Sequence, residues 1–329
     1  MARSASLKAV AAEAGVSVST VSRAFTRPEL IGSDTRAHVL AIADRLGYRP
    51  NRSARGLVTG RTTLLAILLP DIANPFFPPL VRAIEDTAYE KGYSVLLMDT
   101  DEHPEREAKM LRDLAGQADG VVACSPRSPT GVIRETAERT PMVLVNRSVK
   151  GIASVTCRTR EGIGQLVDHL YALGHRKIVY VSGPASSWSE RERRDGARRR
   201  AQKLKMAFDV LGPYPATFEG GVMAADAVAA TSATAVVAFD DVMAMGIMRR
   251  LAERGFKVPE QISVGGCDDI FFAAMAFPAL TSIASPIAEA GRTAARLLFD
   301  QLGGAMGAKP QVALSGNLVV RGSTGPVPT

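Results

Sequence analysis

Apolar residues in the first fifty positions recur at helical spacing. Leu7, Val10, Ala11 and Ala14 fall at i, i+3, i+4 and i+7, which is one face of a helix. Ser6 stands where an N-cap belongs and Gly15 where such a helix would end. Val16 plugs the turn. Ser17 caps a second helix from Val18 to about Phe25, with Val21, Ala24 and Phe25 as its buried face. Ser33, with Asp34 in the first turn, starts a third, whose apolar face is Val39, Ile42, Ala43 and Leu46 and which Gly47 closes.

From Thr62 onward the pattern changes to short apolar runs alternating with amphipathic stretches. Strands are predicted at 64–69, 94–98, 120–124 and 142–145, with helices at 76–91, 105–115 and 131–139. A second series follows: helix 162–173, strand 177–182, helix 190–208, strand 235–238, helix 242–253 and strand 263–266. Such alternation predicts parallel sheets with helices on both faces. Two series predict two similar subdomains, with a ligand cleft at the carboxyl ends of the strands.

Charge separates these regions. Residues 1–61 carry 10 Lys/Arg against 4 Asp/Glu, whereas residues 62–329 carry 30 against 29. A basic head on a nearly neutral body attracts a phosphate backbone or an anionic membrane. Two helices joined by a tight Gly-containing turn form a helix-turn-helix, whose second helix enters the major groove by its N-terminal residues. Those residues are Val18 and Ser19, with Ser22 and Arg23 one turn on. Arg23 is the one long polar reader, suited to bidentate contact with guanine. The alternative is a small helical bundle with an incidental Ser/Thr-rich helix; charge without a basic amphipathic helix favours DNA.

The segment Ser6-Leu-Lys-Ala-Val-Ala-Ala-Glu-Ala-Gly-Val-Ser-Val-Ser-Thr-Val-Ser-Arg23, with Leu46-Gly-Tyr-Arg-Pro-Asn51, resembles the DNA-binding segment of the lactose-repressor (LacI/GalR) family. The resemblance continues through Pro70-Asp-Ile-Ala-Asn-Pro-Phe-Phe77, Gly174-His-Arg-Lys-Ile178, Phe239-Asp-Asp-Val-Met-Ala-Met-Gly246, Val258-Pro-Glu-Gln-Ile-Ser-Val264, Leu280-Thr-Ser282 and Val319-Val-Arg-Gly-Ser-Thr324. It implies an N-terminal all-α helix-turn-helix head and an α/β periplasmic-binding-protein-like body of two doubly wound parallel-sheet subdomains. The expected organisation is a DNA-binding domain at 1–49, a hinge at 50–61 and an effector-binding and dimerisation domain at 62–329. Within the last, one subdomain would comprise about 62–158 and 287–318 and the other about 159–286 and 319–329. The chain would cross between them near 157–161, 284–288 and 317–320.

The resemblance also implies that Ser17, Val18, Ser19, Ser22 and Arg23 face an operator. Thr26 departs from the family, which often has Asn there. The connector Pro50-Asn-Arg-Ser-Ala-Arg-Gly-Leu-Val-Thr-Gly60 is too short and Gly-weakened to persist as a free helix. By its residues alone it reads as a flexible basic linker. By resemblance it is a hinge helix that orders on the operator, with Asn51 and Arg55 at the DNA and Leu57 as a minor-groove wedge.

Polar groups at strand ends are the ligand candidates. Asn146 follows the strand at 142–145, Asp240 and Asp241 follow 235–238, and Asp268 follows 263–266. Phe76 or Phe77 offers an apolar face. By resemblance Arg193 occupies the slot of the effector-binding arginine, and Asp268 that of a carboxylate accepting from a ligand hydroxyl. Arg193 otherwise reads as one charge of a solvated helix, since residues 191–205 carry eight Lys/Arg. Asp240 stands where Asn is common, and Val222 where some sugar-binding members have an aromatic.

Hydrophobic residues at 46% and charged residues at 22% exclude disordered and collagen-like classes. The longest strongly apolar run, Leu64–Leu69, is too short to span a bilayer. No signal-peptide block is expected, because Glu13 interrupts the alanine-rich stretch. Three cysteines make no framework, so a reducing cytoplasm is expected. His38, His103, His169 and His175 show no metal spacing, and no cofactor is expected. Adjacent pairs such as Asp240/Asp241 and Asp268/Asp269 raise a glycosidase as one alternative; a transporter's sugar-binding protein is another. The favoured reading is a DNA-binding transcriptional regulator, a repressor, acting as a homodimer on a palindromic operator and controlled by a sugar or sugar derivative. The ending Gly-Pro-Val-Pro-Thr329 has no heptad helix, so tetramers built by a zipper tail are not expected.

Overall fold

A computed structural model of the chain describes residues 6–48, 61–114, 116–304 and 309–328. Two compact units divide at Thr63/Leu64. Asn51, Arg55 and Leu57, the residues expected to form the hinge contacts, lie outside the described residues.

The head holds α1 (Leu7–Ala14), α2 (Val18–Thr26) and α3 (Ser33–Arg45). Ser6 and Ser17 cap the first two, their hydroxyls accepting from the N–H groups of Ala9 and Thr20. Gly15 ends α1 at φ 64°, the left-handed conformation that glycine adopts without strain. Val10, Ala11, Ala14, Val21, Ala24, Val39, Ile42 and Ala43 form the core. Phe25 and Leu46, expected inside, are only half-buried at its edge; the Phe25 and Tyr48 rings meet 5.7 Å apart. A 3-10 turn at Pro28–Leu30, set by the proline, links α2 to α3.

The body opens with a six-stranded parallel sheet in the order β11-β5-β4-β3-β1-β2. Its strands are β1 (Leu64–Leu69), β2 (Ser94–Asp99), β3 (Gly120–Cys124), β4 (Met142–Val145), β5 (Ala153–Cys157) and β11 (Gln311–Leu314). Helices α4 (Pro78–Glu90), α5 (Pro104–Asp113), α6 (Thr130–Arg139) and α12 (Ile287–Leu302) belong to this lobe. The second lobe has a parallel sheet β7-β6-β8-β9, from β6 (Lys177–Val181), β7 (Ala207–Leu211), β8 (Ala235–Ala238) and β9 (Ser263–Gly265). It carries α7 (Thr159–Ala172), α8 (Trp188–Lys203), α9 (Phe218–Ala229), α10 (Asp241–Glu253) and α11 (Phe271–Met275). An antiparallel pair, β10 (Ser282–Ala284) with β12 (Asn317–Val319), completes it. In each parallel sheet the strand order reverses beside the first strand, between β1 and β3 and between β6 and β8. The carboxyl ends there are where doubly wound sheets leave a crevice.

The chain passes between lobes at 157–159, 284–287 and 314–317. The third passage lies before the expected 317–320, because Asn317 and Leu318 already pair with Ala284 and Ile283 of β10. The helix expected to run to Phe208 stops at Lys203. Lys205 adopts φ 56°, Met206 N–H returns to the Ala201 carbonyl, and Phe208 enters edge strand β7.

Helices α9 and α10 touch backbone to backbone. A Cβ on Gly221 would sit 2.1 Å from the Met243 carbonyl oxygen, and one on Gly246 at 2.1 Å from that of Phe218. Neither backbone can yield as a side chain would. Gly221→Ala should therefore destabilise the body by about 1–3 kcal/mol, the usual range for overpacking; urea unfolding of the full chain measures it, and an unchanged midpoint would contradict the close approach.

Candidate functional site

In the head, the N-terminal end of α2 is open to solvent. Val18 keeps 41% of its surface, and Ser17, Ser19 and Arg23 are exposed. The Ser17 hydroxyl is committed locally: it accepts from Thr20 N–H at 3.0 Å and meets Ser19 Oγ at 2.7 Å and Thr20 Oγ1 at 2.8 Å. Ser22 is half-buried, and its carbonyl accepts from the Thr26 hydroxyl at 2.8 Å, so Thr26 turns inward on its own helix. Arg23 remains the long cationic side chain presented by this face.

In the body, the strand ends of both lobes converge on one small cavity. Asn74, Phe76 and Phe77 come from the turn after β1, Glu102 from after β2, Ser125 and Arg127 from after β3, and Asn146 from after β4. From the other lobe come Ser187, Ser189 and Arg193 after β6, Ala216 after β7, Phe239 and Asp240 after β8, and Asp268 after β9. All six residues proposed from sequence line this cavity: Phe76, Phe77, Asn146, Arg193, Asp240 and Asp268. Its volume is about 30 Å³, against roughly 300–1,000 Å³ for ordinary ligand pockets. A ligand larger than water therefore requires the lobes to part.

Its centre is a buried ion pair. Arg193 retains 3% of its surface and Asp268 7%. Arg193 Nη2 donates to Asp268 Oδ1 at 2.6 Å, and Nη1 donates to the Phe239 carbonyl at 2.7 Å. The guanidinium also lies over the Phe239 ring, 4.8 Å from its centroid. Burial pulls the guanidinium pKa down, but the neighbouring acidic groups, Asp268 first and then Cys267, Tyr180 and Asp240, outweigh it and the net shift is upward. Burial pushes the Asp268 carboxyl up against the pull of Arg193. Asp268 is held at φ 119°, a strained conformation for a residue with a side chain. Its N–H bonds to the Ile283 carbonyl, which fixes it there.

The two adjacent aspartates divide their work. Asp240 lines the cavity and caps α10, Oδ1 accepting from Met243 N–H at 2.8 Å. Asp241 turns away to accept from Ile270 N–H at 2.9 Å and the Ser282 hydroxyl at 2.5 Å. Burial, reinforced by Asp268, pushes Asp240 up to about 7 and Asp241 up to about 8. Asn146, at φ 52°, uses its side-chain oxygen to accept from Cys157 N–H at 3.1 Å, tying β4 to the first lobe crossing.

The sequence reading missed Arg127 and Glu102. Arg127 Nε and Nη2 donate to the two oxygens of Glu102 at 2.6 and 2.8 Å. Glu107 accepts the Arg127 and Ser128 N–H groups, and Arg147 holds the Pro126 and Ser128 carbonyls, which locks this loop. The strand-end rule applied after β3 would have found Arg127. Val222 does not line the cavity; Ala216 is the apolar contribution of that segment, because Val222 lies within α9. Trp188 opens α8 between the lining residues Ser187 and Ser189 without lining the cavity itself. Among the described residues no cluster of three His, Cys, Asp or Glu is set to hold a metal, and no helix is long and apolar enough to cross a membrane.

A helix-turn-helix joined in one chain to a two-lobed binding body defines the class of ligand-responsive DNA-binding regulators. The chain belongs to the lacI family of bacterial regulatory proteins. The family model "Bacterial regulatory proteins, lacI family" matches residues 6–51, and "Periplasmic binding protein-like domain" matches residues 167–324. The chain is 31% identical over 330 residues to the HTH-type transcriptional regulator DegA of Bacillus subtilis, covering 97% of this chain and 98% of that one. It is 32% identical over 333 residues to the HTH-type transcriptional repressor CytR of Escherichia coli, covering 98% and 97%. A lac repressor dimer bound to operator and the anti-inducer ONPF superimposes with a TM-score of 0.87 at 27% identity, covering 98% of this chain and all of that one. A ribose-bound regulator of Enterococcus faecium gives 0.73 at 29% identity over 80% of this chain and 99% of that one.

The buried carboxyls set a pH dependence. Unfolded, Asp240 and Asp241 titrate near 3.8; folded, near 7 and 8. Between those values the folded protein binds more protons than the unfolded chain, so stability falls as pH rises. The melting temperature of the full chain should fall from acid to alkaline pH across that window. Asp241→Asn, which cannot ionise, should flatten the dependence; an unaltered slope would refute the assignment.

Proposed function

We propose that this protein is a transcriptional repressor that binds a palindromic operator as a homodimer and changes its DNA affinity when a small hydroxylated effector, a sugar or sugar derivative, enters the cleft. The observation that carries the reading is the joining in one chain of an exposed, Ser17-capped α2 to a cleft floored by the Arg193–Asp268 pair. The head supplies the DNA contact through Ser17, Val18, Ser19, Ser22 and Arg23. Residues 50–61 act as the hinge, with Asn51, Arg55 and Leu57 at the operator. Residues 62–329 form the effector-binding and dimerisation domain, in which Arg193, Asp268, Asp240 and Asn146 bond the effector and Phe76 and Phe77 pack on it. The protein works in the cytoplasm and catalyses no reaction. The relatives support this by their names: a repressor dimer on its operator and a regulator with bound ribose.

Selection of random duplexes on the full-length chain should converge on an inverted repeat, and failure to converge overturns the reading. Binding should weaken steeply with salt, each neutralised phosphate adding about −0.9 to the log–log slope. Arg23→Ala should cost about 1–3 kcal/mol at one base position. A fragment of residues 62–329 that still shifted the selected duplex would remove the head from this role.

For the cleft, Asp268→Asn keeps the shape but loses the charge that Arg193 faces. A hydrogen bond to a charged group contributes about 1.5–3 kcal/mol, so the effector-driven change in operator affinity should need at least tenfold more ligand. Trp188, the only tryptophan in the sequence, should change emission as ligand binds. Equal titration curves for the wild type and Asp268→Asn would take the pair out of the effector site.

A further inference from the structure

The charges around the cavity do not cancel. Of the carboxylates that line it, Glu102 is taken bidentately by Arg127, and Asp268 is taken by Arg193. Asp240 has no such partner. It retains 2% of its surface, its Oδ1 is engaged with Met243 N–H, and no guanidinium or ammonium group pairs with it among the described residues. The charged groups that face it are Asp268 and Glu102, which repel its charge, and Arg193, already committed to Asp268. Asp241, next in the chain, is turned to Ser282 and Ile270.

A second group in the same wall lacks a partner. Arg193 is buried, its two terminal nitrogens are bonded to Phe239 and Asp268, and its Nε–H has no acceptor. The cavity thus presents one orphaned donor and one uncompensated carboxylate, each costly to leave without a partner.

We propose that Asp240 selects a cationic effector: a small hydroxylated ring bearing a protonated amine, preferred over its neutral counterpart. A ring oxygen accepts from the Arg193 Nε–H, and the ammonium group neutralises Asp240. The faces of Phe76 and Phe77 suit a cation as well as a sugar ring. A neutral sugar leaves that carboxylate without a counter-ion, so its binding weakens as the pH rises through about 7, where Asp240 loses its proton. The burial that pushes the Asp240 carboxyl up agrees with a charge awaiting a counter-ion. This inference rests on the cleft being the effector site.

The test is calorimetry on the full-length protein at neutral pH with matched probes: glucosamine against glucose, galactosamine against galactose, and mannosamine against mannose. At least one amino sugar should bind tenfold or more tightly than its neutral partner. Asp240→Asn keeps an oxygen able to cap α10, and it should reduce that preference to twofold or less. Neutral sugars binding as tightly as their amino partners, no amino sugar binding, or an Asn variant that keeps the full preference would each overturn the proposal. Binding of the selected inverted repeat by the same preparation separates the outcomes. Operator binding without an amine preference removes only this inference, whereas loss of operator binding removes the regulator reading beneath it.

Discussion

A guanidinium out of contact with water must be neutralised and hydrogen-bonded, and the Arg193–Asp268 pair is where this molecule meets that demand. The two residues come from different elements, the first turns of α8 and the loop after β9. Removing either partner strands a buried charge, at a cost of about 3–5 kcal/mol. Holding both fixes where α8 begins, how the chain leaves β9, and where Phe239 lies, since its carbonyl and ring both engage Arg193. The strained backbone at Asp268 is held by its link to Ile283, and Ile283 pairs with β12 next to the third lobe crossing. The floor of the cleft is therefore tied to the strands through which the lobes are joined. A ligand that competes for the pair acts on a group wired to the crossings.

The opposite wall repeats the device with different parts. Arg127 and Glu102 close on each other, while Glu107 and Arg147 pin the loop that carries Arg127. One contiguous apolar core continues beneath both lobes, including Ile67, Val122, Phe76 and Phe77 on one side and Val181, Val236 and Phe239 on the other. Two walls locked by these bonds resist local deformation of the site, which leaves movement at the crossings, against the hold of the shared core, as the way to admit a ligand. That is the property a protein needs to pass a small-molecule signal to a second site.

Much of this was legible in the chain because it is local. Ser6, Gly15 and Ser17 specify the ends of α1 and α2 through bonds to residues three or four positions away. The buried runs at 64–69, 120–124, 142–145 and 235–238 are strands because only continuous apolar segments suit a sheet covered on both faces. The strand-end rule located Asn146, Asp240 and Asp268. Edge strand β7 escaped notice because its outer side faces solvent and its residues do not form an apolar run.

Composition and spacing thus determined a basic three-helix head, a doubly wound body and the set of residues at its strand ends. Tertiary structure alone decided which of those ends meet. Arg193 and Asp268 are 75 residues apart, and nothing in either segment specifies the other. Their pairing follows from the strand order β7-β6-β8-β9, which places the ends of β6, β8 and β9 side by side. The same holds for the division of Asp240 from Asp241. As neighbours in sequence they look alike, but one faces the cleft and the other faces Ser282 and Ile270, because the first turn of a helix sends successive side chains in different directions. Charge balance is a property of such a three-dimensional neighbourhood, and so the uncompensated carboxylate at Asp240 became visible only when the strand ends were brought together.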